Sequence, residues 1–152
     1  MKITTELIKK LRDETGAGVM RAKSVLEEVK GDEKKALAIL RKEGFEKVEK
    51  RKDREVGQGV VVSYIHHSLK IGSMVEILCE TDFVARNELI QTLGKEIALQ
   101  IASMDPKNVK DLESQDFIKD SKKKISDLVK EVIAKTGENI KIGKFVRFEI
   151  GK

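Results

Sequence analysis

Apolar positions recur with a helical period over the first third of the chain and with a two-fold period after it. Ile3, Leu7, Ile8 and Leu11 fall at helical spacing. Thr4 is placed to cap that helix, Glu6 faces the positive end of its dipole, and Ile3 and Ile8 have the separation of a hydrophobic staple. Gly16 and Gly18 then break the pattern, as a tight helix–helix turn would. Val19, Ala22, Val25, Leu26 and Val29 form a second stripe, stopped by Gly31. Asp32 caps a third helix with Ala36, Leu37 and Leu40 inward and Gly44 as its end. Helices this short bury little, so residues 1–45 predict a small three-helix module of marginal independent stability. Residues 46–58 carry almost no apolar face and read as a charged linker.

From Gly59 the pattern alternates. Val60 to His66 reads as a strand, and Ile71, Ser73, Val75, Ile77 and Cys79 share one face of a second. The short Ser68-Leu69-Lys70 connection makes the two a hairpin. Thr81 to Asn87 is a strand-to-helix turn, after which Leu89, Ile90, Leu93, Ile97 and Ile101 mark a helix that stops before Asp105-Pro106. A polar stretch leads to another helix, with Ile125, Leu128, Val129, Val132 and Ile133 as its stripe and Gly137 as its end. The last strand places Ile140, Ile142, Val146, Phe148 and Ile150 on one face, with Lys144 interrupting. The β-β-α-α-β order over residues 59–152 predicts an α+β core, a three-stranded antiparallel sheet packed with helices. There is no internal repeat.

Composition changes this picture in one respect. Thirty-one Lys and Arg against 26 Asp and Glu give a net charge of +5. Most of that excess lies in residues 1–55, which hold 16 bases and 12 acids. A basic sum invites a nucleic-acid partner, and residues 47–54, with five bases and two acids, are the best candidate patch. They lack the interleaved aromatics of a single-strand platform, so a solvated linker is the simpler reading. A single cysteine excludes an intramolecular disulfide and a Cys-based zinc site. No apolar run resembles a signal peptide or a membrane span, so a soluble cytoplasmic protein is expected.

Catalytic and nucleotide motifs are missing. Thr15 to Ser24 superficially suggests a phosphate loop, but its spacing fails and it follows a helix. His66 and His67, adjacent in a predicted strand, point to opposite faces and cannot share a metal, which leaves packing or a partner contact. Glu80 and Asp82 have no histidine or metal ligand nearby, so no enzyme, metal or cofactor is expected. The unusual pair is Asp82-Phe83, a large aromatic beside an acid on a turn. Folding back into the core is the common fate of such a Phe. Left exposed, it is an interface anchor, contributing about 1.5–3 kcal/mol when a partner buries it.

Four blocks give these residues a context: Cys79-Glu80 with Thr81-Asp82-Phe83-Val84-Ala85-Arg86-Asn87, Lys10 to Met20, Gly137-Glu138-Asn139-Ile140 with Arg147, and Tyr64-Ile65-His66-His67 with Ile71-Gly72. Together they resemble the bacterial elongation factor Ts family, in family order and over nearly the whole chain. The resemblance implies an α+β protein with a UBA-like N-terminal module and a dimerisation core. It implies a guanine-nucleotide exchange factor for elongation factor Tu. Thr81, Asp82, Phe83 and Val84 would form a wedge that disturbs Mg²⁺ and the phosphate loop of the GTPase domain. Arg12, Gly16, Gly18, Val19 and Met20 would contact the same domain, and His66 and His67 a second one. No membrane and no direct nucleic-acid contact is implied. Val19 stands where the family usually has methionine. Members commonly carry two core copies, or one copy and a longer helical insertion. One copy with a short 105–116 connection implies a homodimer.

Overall fold

The computed structural model describes residues 2–152. Its N-terminal part is built from α1 (Thr5–Thr15), α2 (Val19–Glu28) and α3 (Glu33–Glu49). The expected caps are present: the Thr4 side chain accepts from the Leu7 amide and the Asp32 side chain from that of Lys35. Leu11, Ala22, Val25, Leu26, Ala36 and Leu40 bury completely or nearly so, with Ile3, Leu7 and Ile8 packed around them.

The third helix does not end at Gly44. It continues for another turn, to Glu49. A Cβ at Gly44 would stand 3.3 Å from the Ala134 Cβ, so this glycine serves close helix–helix approach rather than termination. The extra turn also buries Val48 in the core of the second part, from within a stretch that shows no apolar face as sequence.

That second part contains β1 (Gln58–Ile65), β2 (Ile71–Cys79), the one-turn helix α4 (Asp82–Ala85), α5 (Glu88–Met104), α6 (Val109–Ser114), β3 (Asp116–Phe117), β4 (Asp120–Lys124), α7 (Ile125–Thr136) and β5 (Ile140–Glu149). A three-stranded antiparallel sheet in the order β1-β2-β5 lies against α5 and α7. Val75, Ile77 and Cys79 of β2 meet Ile90, Leu93, Ile97 and Ile101 of α5 and Leu128, Val129 and Ile133 of α7 in one buried cluster. The α+β reading therefore holds.

Three local expectations are corrected. Strand β1 stops at Ile65, and His66 to Lys70 form the hairpin loop, closed by the His66 amide donating to the Ile71 carbonyl at 2.9 Å. The polar stretch after Pro106 is not plain connection, since it holds α6 and the β3–β4 hairpin. Buried Gln100 ties that hairpin down, its Nε2 donating to the Asp116 carbonyl at 3.0 Å and its Oε1 accepting from the Ile118 amide at 3.0 Å.

The third correction concerns β5. Ile140 and Ile142 face the helices, but the register shifts between Val75 and Ile77 of the partner strand, and the alternation changes phase. The Glu76 carboxylate accepts from the Lys144 amide at 2.9 Å at this bulge. Beyond it Phe145 and Arg147 face inward, whereas Val146, Phe148 and Ile150 point outward and are exposed. Arg147 runs beneath the sheet and donates to the Ala102 carbonyl at the end of α5, at 3.0 Å.

The N-terminal helices dock on α7. Gly16 caps α1 with φ of 72°, and a Cβ there would stand 2.7 Å from the Lys135 Cα and 2.8 Å from the Ala134 carbonyl oxygen. Gly16→Ala is expected to cost about 2 kcal/mol, from left-handed strain plus backbone displacement. That lowers the thermal midpoint by about 4–8 °C in a scanning calorimeter. Gly18, with φ of −66° and open space around it, is the control, and Gly18→Ala should cost only the weaker N-cap, about 1 kcal/mol or less. Equal midpoints for the two variants would disprove the docking.

Candidate partner-binding site

Strand β2 ends at Cys79, and the chain turns through Glu80 and Thr81 into α4. Thr81 is the N-cap, with extended backbone, and its Oγ1 accepts from the Val84 amide at 3.3 Å. The single turn is divided by burial. Val84 and Ala85 anchor it in the core, while Asp82 and Phe83 project into solvent. Phe83 is 83% exposed, so it does not fold back. A phenyl ring held in water contributes no packing within the monomer. Asp82 pairs with Arg86 one turn on, at 2.8 Å. Both side chains are well exposed, and such a pair contributes little and yields readily to another partner.

The turn is held from below. The Glu138 carboxylate, just past the α7 C-cap Gly137, accepts from the Glu80 amide at 3.1 Å and the Thr81 amide at 2.9 Å through Oε1, and from the Thr81 hydroxyl at 2.6 Å through Oε2. Glu80 answers by accepting from the Asn139 amide at 2.7 Å. Asn139, buried, donates through Nδ2 to the Arg54 carbonyl at 2.8 Å. Cys79 Sγ lies 3.2 Å from the Thr81 carbonyl and donates to it. Burial first, and the nearby Glu138 charge second, push the Cys79 thiol up from its ordinary range, so it stays protonated as a donor. Glu80, Glu138 and Asn139 have no assigned role in the sequence reading, because partners 57 to 59 residues apart leave no local trace. Their one trace is that they fall within the Cys79-Glu80 and Gly137-Glu138-Asn139-Ile140 blocks.

The remaining candidates lie on other elements. Met20, 76% exposed, and the half-exposed Val19 occupy the first turn of α2, which Gly18 caps without a side chain. Arg12 is exposed near the end of α1, with Asp13 3.7 Å away. Gly16 lies between that helix end and α7. His66 and His67 do not point to opposite faces as strand neighbours would. They sit in the hairpin loop with ring centroids 4.1 Å apart, and His66 Nδ1 accepts from the Ser68 amide at 3.1 Å. Among the described residues no three His, Cys, Asp or Glu side chains are grouped to hold a metal ion, and no helix is long and apolar enough to cross a membrane.

Comparison with known proteins puts the chain among translation elongation factors. A family model described as Elongation factor TS matches residues 80–152, which contain the turn, its Glu138 support and the closing strand. An Elongation factor Ts of Thermosipho melanesiensis is 39% identical over 195 aligned positions, covering 99% of this chain and 100% of the relative. One of Leptospira biflexa is 40% identical, covering 99% of each, and one of Thermodesulfovibrio yellowstonii is 38% identical, covering 100% of this chain and 98% of the relative. The chain belongs to the elongation factor Ts family. Because the alignment has 195 positions and this chain only 152 residues, the Thermosipho relative carries segments with no counterpart here.

Proposed function

We propose that the protein speeds GDP release from elongation factor Tu, and that Asp82 and Phe83 form the wedge that does so. The observation that carries this reading is the exposed Phe83 at the head of a turn whose other half is buried, in a member of a translation factor family. GDP binds such a GTPase tightly because backbone amides and Mg²⁺ hold its phosphates. A protein that stabilises a site lacking that geometry weakens GDP, and by linkage GDP weakens the protein equally. No covalent step is involved, so no catalytic residue, metal or cofactor is required of this chain.

In this reading Thr81 and Val84 frame the wedge. Arg12, Gly18, Val19 and Met20 contact the same GTPase domain, with Gly16 setting the angle at which they are presented. His66 and His67 at the hairpin tip meet a second domain. The charged segment 46–58 joins the parts and needs no nucleic acid. Such a factor works in the cytoplasm, where translation runs, and as a homodimer, since a single core copy has an open outer sheet face.

The test is stopped-flow release of a fluorescent GDP analogue from elongation factor Tu. The wild-type chain should accelerate release by at least about a hundredfold at saturation, as about 3 kcal/mol of displaced GDP contacts implies. No acceleration would sink the assignment.

A further inference from the structure

The corner Gly137-Glu138-Asn139 does more than join α7 to β5. Glu138 gathers three donors, two of them consecutive backbone amides, onto one carboxylate directly below the wedge. The third donor is the hydroxyl that caps α4, so the proton on Thr81 Oγ1 is committed to Glu138 and its lone pair is left for the Val84 amide. Charge-assisted bonds of this kind are the strong ones. The same corner holds the chain that leaves the N-terminal helices. Asn139 Nδ2 donates to the Lys52 and Arg54 carbonyls at 3.3 and 2.8 Å, and Arg54 reaches back to the Gly137 carbonyl at 3.4 Å and to Glu80 at 3.6 Å. One turn earlier, Ala134 and Lys135 form the surface on which Gly16 and Gly44 dock.

We infer that Glu138 is a positioning residue: its carboxylate presets the Thr81 cap, and so the direction of Asp82 and Phe83, relative to the N-terminal helices docked on the same end of α7. The inference deepens the exchange reading and rests on it. Its physical content is a population. With Glu138 in place the turn is always competent. Without it the Glu80 and Thr81 amides lose their acceptor and α4 samples other directions. Apparent affinity falls by the competent fraction, while a complex once formed carries the full wedge and releases GDP at the full limiting rate. Loss of a wedge side chain does the opposite and lowers the limiting rate.

The experiment uses the full chain with elongation factor Tu bound to fluorescent GDP, comparing wild type, Glu138→Ala and Glu138→Gln. Amide hydrogen exchange by NMR is followed at Glu80, Thr81 and Val84, with Ile77 as the core reference. In Glu138→Ala the three turn amides should exchange at least about tenfold faster, with Ile77 unchanged. The concentration giving half-maximal GDP release should rise about tenfold, with the limiting rate within about twofold of wild type. Glu138→Gln keeps an acceptor for the amides but loses the charge and the acceptor for the Thr81 hydroxyl, so its turn-amide exchange and half-saturating concentration should each rise about threefold, with the limiting rate unchanged. If Glu138→Ala does not fold, Glu138→Gln carries the test, with a small rise in half-saturation expected at constant limiting rate.

Unchanged amide exchange in Glu138→Ala, or in Glu138→Gln where that is the variant that folds, would overturn the inference. So would faster amide exchange with an unchanged half-saturating concentration, or a fall in limiting rate alone. If the wild-type chain releases no GDP, the exchange reading fails, and the preset turn is then judged by the amide exchange alone.

Discussion

Phe83→Ala is expected to lower the limiting rate of stimulated GDP release by about ten- to a hundredfold, while the thermal midpoint moves by about 2 °C or less. The two halves of that expectation come from one observation, the exposure of the ring. Because 83% of Phe83 is in water, its removal leaves no cavity and removes no packing, so the stability change is that of an ordinary surface substitution. In the proposed complex a partner buries the same ring, and about 1.5–3 kcal/mol of transfer energy is then lost with it. At about 1.4 kcal/mol per factor of ten, that energy gives the stated rate loss if it is used to separate GDP from its site. Asp82→Ala should lower the rate in the same direction. It frees Arg86 without a stability penalty, because their pair is solvent-exposed. Stopped-flow traces at saturating factor, read beside calorimetric midpoints, check both variants. Equal limiting rates in wild type and Phe83→Ala would remove the wedge role and leave the family assignment standing.

The parts of this site that were legible in the sequence are those whose physics is local. The strand-to-helix turn from Thr81 to Asn87, the α5 stripe from Leu89 to Ile101, and Gly137 as the end of α7 each depend on residues within a turn or two. Phe83 was legible only as a choice, since exposure depends on what lies beneath the turn. The rest required tertiary contacts. Gly44 reads as a helix stop until Ala134 is seen pressing against it. Glu138 is an unremarkable acid until its carboxylate meets Thr81. The β3–β4 hairpin, with little apolar pattern of its own, is specified by Gln100 from a neighbouring helix. Lys144 reads as an interruption in a one-faced strand. It marks a bulge, at which Glu76 on the adjacent strand accepts its amide.

That bulge has the second large consequence. By changing the phase of β5 it moves Val146 and Phe148 to the side of the sheet away from the helices. There they stand in cross-strand rows with Met74 and Ser63, and with Gly72 and Ile65. Val61 and Ile150 extend the same exposed apolar surface. A monomer seldom leaves a continuous face of this kind open. A second copy of the chain presents the identical face and can cover it symmetrically. Phe148→Glu is therefore expected to convert a dimer into a monomer of 17.1 kDa with an unchanged thermal transition when diluted, because position 148 is exposed in the single chain. The charge enters a two-fold interface twice, and each buried unpaired carboxylate costs several kcal/mol, so association should weaken by more than about a thousandfold. Light scattering at micromolar concentration reads the mass directly, with Lys141→Glu, on an exposed outer position at the far end of β5, as the charge control. A wild-type mass of one chain, even with elongation factor Tu bound, would defeat the dimer. A dimer that survives Phe148→Glu would move its interface off this sheet.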